Sequence, residues 1–183
     1  MYEIKKAESG EKDFGKALFV CKAILADSIR PFTRVVHVEH IKSGSRLVCT
    51  DGHRLHVAEI ALKIESGDYE PVVTKGSIIL RGPVDGAAFP NWKRIVPQTA
   101  TEKGIVSLGG SDLGKNEHTC EKMSLAFFSI MGKTGEPVNL RFLDDLPKQD
   151  LKVFVQEKRH RALLFRPAGE DEGIYAVIMP IAA

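Results

Sequence analysis

The sequence predicts an α+β protein made of two β-α-β-β-β halves, with antiparallel sheets and two helices. Three observations predict it. Phe14, Ala17, Leu18, Cys21, Ile24 and Leu25 recur at the 3.6-residue spacing of an amphipathic helix. Runs of β-branched residues separated by tight-turn residues follow that helix. The last third of the chain then repeats the order, a helix followed by strands.

The elements follow in chain order. Residues 2–8 read as a first strand. Asp13 is a plausible N-cap for a helix over about 14–26, and Pro31 lies just beyond its end. Thr33 to Ile41 is rich in β-branched residues; Lys42-Ser43-Gly44-Ser45 is a turn, and Arg46 to Thr50 is the return strand. Asp51-Gly52 is a second turn before a strand from Arg54 to Ile60. These make residues 1–65 the first half. Residues 66–121 are dense in glycine and proline and read as an irregular connection. Only Ser77–Leu80 and Ile105–Leu108 are strand candidates there, and Gly109 to Glu121 reads as a polar loop. Residues 122–183 form the second half. They hold a helix over Met123–Met131, an alternating segment Val138–Phe142, and a turn at Asp144-Asp145-Leu146-Pro147. Strands follow at Leu151–Val155, Ala162–Arg166 and Ile174–Ile181, joined by a turn at Glu157–Arg159 and a loop at Ala168-Gly169-Glu170-Asp171.

The composition sets bounds but names no activity. With 183 residues, 26 Lys+Arg against 24 Asp+Glu, and 43% hydrophobic residues, the chain falls outside the disordered, collagenous and low-complexity classes. Its length suits one domain, 1–183. A net charge of +2 is too small to point to nucleic acid by itself. Cys21, Cys49 and Cys120 are odd in number, with no CxxC pair, which predicts reduced thiols in a cytoplasmic protein. The N-terminus has no apolar core of a signal peptide, and no run reaches the ~18 residues of a membrane span.

Local motifs carry the functional signal. The segment Thr50-Asp51-Gly52-His53-Arg54-Leu55 occupies the second hairpin turn. Phe89-Pro90-Asn91-Trp92-Lys93-Arg94-Ile95-Val96-Pro97 lies in the connection, and Val177-Ile178-Met179-Pro180-Ile181 ends the last strand. In this order the three resemble the bacterial sliding clamp, the beta subunit of DNA polymerase III. That family carries a TDGHRL turn in its middle domain, an FP-aromatic-basic-Arg-aliphatic-x-Pro linker, and an aromatic-aliphatic-Met-Pro end. Arg161 to Met179 also resembles the family's last two strands, and Gly135-Glu136-Pro137-Val138 to Phe142 the segment after its last helix. The resemblance covers 14–60, 89–97 and 122–181. A full clamp chain has three domains of two halves each. This chain has room for one, and joins the first half of a middle domain to the last half of a final one.

The resemblance implies a DNA-clamp-like fold and a non-catalytic role in DNA replication or repair. In the family these motifs line an apolar pocket for peptide tails of DNA polymerases, clamp-loader and repair proteins. Carried over, the pocket would use Thr50, Gly52, His53, Arg54 and Leu55 from the turn. Pro90, Arg94 and Ile95 would come from the linker, and Val177, Ile178, Met179, Pro180 and Ile181 from the end. The residue types suit such a pocket. Adaptable methionine and aliphatic side chains take a Leu or Phe anchor, and arginines bond peptide carbonyls or carboxylates. Val177 and Ile178 read equally well as core, since a strand alternates its faces. Clamp rings line their hole with basic helices, giving non-specific binding of double-stranded DNA. Here Lys16, Lys22, Lys122 and Lys133 are the candidate phosphate contacts, a thin set. Lys158-Arg159-His160-Arg161 is a denser cluster at a turn. With two helices per chain, a ring of the family's helix count would need six copies, so a homo-oligomer is one expectation. A regulator that mimics the clamp and competes for its partners, without encircling DNA, is the alternative.

Other chemistries fit poorly. His37, His40, Cys49, His53 and His56 fall within twenty residues and raise the question of zinc. The i,i+3 spacing of His37 and His40, and of His53 and His56, puts each pair on opposite strand faces, and His118 and Cys120 lie in a distant loop. The sequence therefore predicts no metal or other cofactor. It has no P-loop, GxGxxG, GxSxG or HExxH, and adjacent Asp144 and Asp145 diverge, so no enzyme is predicted.

Overall fold

The structure, a computed structural model, describes residues 1–7, 10–108, 119–156, 162–169 and 173–181, with the side chains of 10, 11 and 119–123 left aside. Of the polar loop expected over Gly109–Glu121, residues 109–118 lie outside the described residues and 119–121 begin a helix instead; the turn at 157–159, the basic cluster Lys158–Arg161 and the acidic tip Glu170-Asp171 also lie outside the described residues. Among the described residues there are ten strands and three α-helices, all neighbouring strands with described pairing running antiparallel. No described helix is long and apolar enough to cross a membrane. The chain divides into two compact units, Met1–Trp92 and Lys93–Ala183.

The first unit holds β1 (Tyr2–Lys5), α1 (Gly10–Cys21), β2 (Val36–Ile41), β3 (Gly44–Thr50), β4 (Arg54–Ile60), β5 (Gly67–Val73) and β6 (Ser77–Arg81). Its strand order is β1-β6-β5-β2-β3-β4. Helix α1 lies against β4 and β3 and buries Phe14, Ala17, Phe19 and Val20. Under it, Val36 and Val38 of β2 and Leu47 and Cys49 of β3 share one sheet face with His56 and Ala58 of β4, as the register requires. The His56 ring stacks on Phe19 with centroids 4.3 Å apart, and its Nδ1–H donates to the Phe19 carbonyl at 2.8 Å.

The second unit holds β7 (Ala100–Ser107), α2 (Thr119–Thr134), α3 (Leu140–Asp144), β8 (Asp150–Gln156), β9 (Leu163–Pro167) and β10 (Ile174–Ile178). Its strands follow one another in the order β7-β8-β9-β10. One face collects Leu151, Val153, Val155, Leu163, Phe165, Ala176 and Ile178, all buried. Helix α2 lies against β7 and buries Ala126, Ile130 and Thr134.

Several sequence expectations change, each for a physical reason. Helix α1 begins at Gly10, so Asp13 sits inside it; its carboxylate accepts the Ala61 backbone N–H at 2.9 Å and ties the helix to the end of β4. The strand expected from Thr33 starts at Val36, because Pro31–Arg34 form a 3-10 turn. The connection is not irregular throughout: β5, β6 and β7 run through it. Pro71 masked β5, but it lies where the strand is paired with β6 alone, a place that tolerates a missing donor. Val138–Phe142 alternates, yet Leu140–Asp144 is a third, short helix capped by the Asn139 side chain, which accepts the Arg141 N–H at 3.0 Å. Leu143 is the buried residue of this helix, and Val138 and Leu146 are buried just before and just after it. The closing strand ends at Ile178.

A half-buried polar network covers the other face of β2, β3 and β4. Arg46 donates to Glu59 at 2.6 and 3.1 Å and to Glu39 at 3.2 Å. The Trp92 indole N–H donates to Glu39 at 3.2 Å, and the Arg46 guanidinium lies 5.9 Å from the Trp92 ring centre. His37 donates from Nδ1 to Asp68 at 2.7 Å and stacks on Phe89 with centroids 4.7 Å apart. The aromatic residues of the linker motif thus belong to the first unit.

Three expected outcomes follow from this packing. Gly44 has φ +147°, and a Cβ there would stand 2.1 Å from the Ile60 carbonyl oxygen, so backbone must move. Gly44→Ala is expected to lose about 3 kcal/mol or more in urea unfolding. Trp92 is the single tryptophan and is buried. Arg46→Ala, which leaves Glu39 and Glu59 facing each other, should red-shift its emission and cost about 2 kcal/mol. Burial pushes the Cys21 thiol up to about 12, and burial together with the nearby Cys21 raises Cys49 well above its ordinary value of 9.0. The folded chain keeps these protons where the unfolded chain releases them, so their contribution is complete below about pH 9 and is lost as pH rises toward about 12. Urea midpoints should fall across that window, and the buried Cys49 thiol should resist alkylation at pH 8 until the chain unfolds.

Candidate functional site

The Thr50–Leu55 turn is built almost entirely from its own side chains. Asp51 Oδ1 accepts the backbone N–H groups of His53 and Arg54 at 2.9 and 3.0 Å, an Asx turn. Thr50 Oγ1 donates to the Arg54 carbonyl at 2.6 Å and accepts the Gly52 N–H at 3.1 Å. Gly52 takes φ +93°, a conformation side chains rarely adopt. Arg54 then reaches out of the turn. Its Nε donates to Asp51 Oδ2 at 3.0 Å and its Nη2 to the Lys22 carbonyl at 2.7 Å, just past the last turn of α1. A guanidinium at that position complements the negative end of the helix.

That wiring sorts the sequence-predicted residues. In the first unit, Gly52 and His53 are exposed, Pro90 is half-buried, and Leu55 and Thr50 are buried. The Arg54 and Asp51 side chains are each only 10% exposed. In the second unit, Arg94 and Ile95 are exposed, Met179 and Pro180 half-buried, and Ile181 exposed, whereas Val177 and Ile178 are buried. Val177 pairs with Leu164 and Ile178 with Leu163, so the two lie on opposite faces of β10. Beyond Ile178 the chain leaves the ladder, and the Ile181 N–H donates to the Pro137 carbonyl at 2.9 Å. Met179, Pro180 and Ile181 are therefore held in place without being packed away.

The lysines separate as well. Lys22 is exposed and Lys16 half-buried at α1; Lys133 is exposed at the end of α2, its chain passing over Gly104. The Lys122 side chain lies outside the described ones. Between Met123 and Gly132 the sequence of α2 contains no charged residue. What sequence reasoning missed is the outward side of this helix, where Leu125, Phe128 and Met131 are exposed by 62%, 67% and 44%. The signal was present as an apolar run too continuous for one buried stripe.

His37 and His56 serve the fold. His37 is bound to Asp68, His56 to Phe19, and the Cys49 thiol donates to the Val35 carbonyl at 3.5 Å. Among the described residues, no group of three or more His, Cys, Asp or Glu is placed to hold a metal ion. His118 lies outside the described residues, as does the Cys120 side chain.

The sequence matches no family model and no curated protein. Among solved structures, the chain is similar to the DNA polymerase III beta subunit of Thermotoga maritima, with TM-score 0.63 and 14% identity, covering 100% of this chain and 65% of that one. The beta subunit of Borrelia burgdorferi gives TM-score 0.65 and 15% identity over 99% of this chain and 64% of that one. The DNA polymerase sliding clamp of Pseudomonas aeruginosa gives TM-score 0.55 and 14% identity over 100% and 66%. The chain thus has the α+β fold of the DNA polymerase III beta subunit, in a form that spans about 65% of the length of such a clamp.

Proposed function

We propose that this chain is a non-catalytic, clamp-like protein of DNA replication or repair that binds short peptide motifs of polymerase-type partners. The observation that carries the reading is the Met179–Ile181 segment. It matches the clamp terminus in sequence, stands outside the β10 ladder, and is fixed by a backbone bond to Pro137 while its apolar side chains stay accessible. Arg94 and Ile95 of the same unit add a cation and an exposed aliphatic side chain. On the first unit, Gly52 and His53 form an exposed tip on a rigid turn. Rigid presentation lowers the ordering cost of binding, and a few anchors supply most of the affinity. Leu55, Val177 and Ile178 act by supporting these surfaces from beneath, and Arg54 by fixing the turn.

A second reading, a regulator that competes for clamp partners without encircling DNA, is favoured by one observation. The uncharged middle of α2 offers nothing to phosphates, which leaves Lys16, Lys22 and Lys133 as the described basic candidates.

The test is a titration with a labelled peptide carrying a Leu-Phe clamp-binding motif. Saturable binding is expected, weakened about tenfold, or about 1.4 kcal/mol, by Met179→Ala and by His53→Ala. Arg54→Ala is expected to act differently, lowering the melting temperature through loss of a charge-assisted tie worth about 2 kcal/mol. Absence of saturable binding, or binding indifferent to both surface variants, would sink the peptide reading.

A further inference from the structure

We infer that the outer edge of β7 is guarded against strand addition by a bulge at Lys103, so that an extended chain, a second copy of this one included, does not continue the sheet there. β7 pairs with β8 on one side and ends the strand order of the second unit, with no described strand on its other side. Such an edge presents backbone N–H and C=O groups to any extended chain. β7 is open to that hazard on two counts. It is eight residues long, and it carries the β-branched Thr101, Ile105 and Val106, with Ile105 50% exposed. β1, which ends the strand order of the first unit, has only four residues, and shortness protects it.

The bulge lies in the middle of this edge. Ala100, Thr101 and Glu102 pair with Gln156, Val155 and Phe154, Lys103 is passed over, and the ladder resumes with Gly104 opposite Val153. An extra residue bends a strand and breaks the even spacing of its backbone groups. An incoming strand would match the three residues before Lys103 or the four after it, not all eight, and would meet an exposed ammonium between them. The kink is held by the chain itself. Gly104 has φ +121°, which side chains rarely adopt, and Lys133 Cδ lies 3.6 Å from where a Cβ would stand, so α2 packs against it. The sheet does not ask for the extra residue. Without Lys103, Thr101, Gly104 and Val106 would still stand opposite Val155, Val153 and Leu151, and Glu102 and Ile105 opposite Phe154 and Lys152. Every side chain would keep its face. What the extra residue changes is the edge.

Deleting Lys103 gives a continuous strand and tests the guard. Sedimentation velocity of the full chain and of the deletion variant is run over a concentration series, with hydrogen–deuterium exchange read at residues 100–107. The variant is expected to associate at least about tenfold more tightly than the parent, and its β7 amides to gain protection as concentration rises. The parent should show no such gain. A peptide of residues 100–107 lacking Lys103 serves as a probe strand. It should protect β7 of the variant and leave β7 of the parent unchanged, a comparison that on the parent needs no substitution. Far-UV circular dichroism checks that the variant folds. Protection of the parent's β7 by self-association or by the peptide would overturn the proposal. So would a folded variant that associates no more than the parent, or a variant that does not fold, since the bulge would then be required by the fold itself.

Discussion

The first unit depends on one guanidinium. Arg54 closes the Asx turn through Asp51 and, at its other end, takes up the Lys22 carbonyl thirty-two residues away. Both side chains are mostly withdrawn from water, so these are charge-assisted bonds in a setting where screening is weak. The consequence is positional. Helix α1 is thereby held near both of its ends: Phe19 meets His56 and Lys22 meets Arg54 at its C-terminal turn, and Asp13 takes the Ala61 N–H beyond β4 near its start. Two attachments fix a direction as well as a distance, and that direction determines where His53 projects. The polar network around Arg46 does similar work on the opposite face, where it holds Trp92 and, with His37, Phe89.

Much of this was legible in the sequence. β4 has the expected bounds, Arg54–Ile60, because alternation and the Asp51-Gly52 turn agree there. The turn chemistry was likewise readable, since Asp51 acts on residues two and three positions away. Arg54 was not. Its charge invited a ligand, and its actual partner lies across the fold where no local pattern points. Leu55 and Val177 show the same limit, because a strand of alternating apolar residues does not say which face will be covered. β6 was expected at Ser77–Leu80, but its partner β5 escaped notice because Pro71 and the glycines around it weaken every local strand signal. Only its place beside β2 makes it a strand.

The two units share an order of elements but differ in what their helices show to solvent. Around α1 the accessible side chains include Lys12, Lys16 and Lys22. Along the middle of α2 they are Leu125, Phe128 and Met131. Each helix buries an apolar stripe of similar make, Phe14, Ala17 and Val20 in one case and Ala126 and Ile130 in the other. The fold constrains only that inner stripe. The outer one is free to diverge, so a shared fold carries no guarantee of a shared surface chemistry. This is why the likeness to sliding clamps speaks more strongly to architecture than to what each helix touches.

The hairpin between β1 and β2 also bears on how the first unit assembles. In the second unit the opening strand pairs directly with the strand after its helices, as β7 does with β8. In the first, β5 and β6 stand between, and Tyr2 finds its partner at Leu80. The β2–β3, β3–β4 and β5–β6 pairings are local and close short loops. The β1–β6 pairing closes nearly the whole unit and bears the largest loop entropy. The N-terminal strand can dock only once β6 exists to receive it. Of the strands of this unit, β1 is therefore made first and waits longest for its partner.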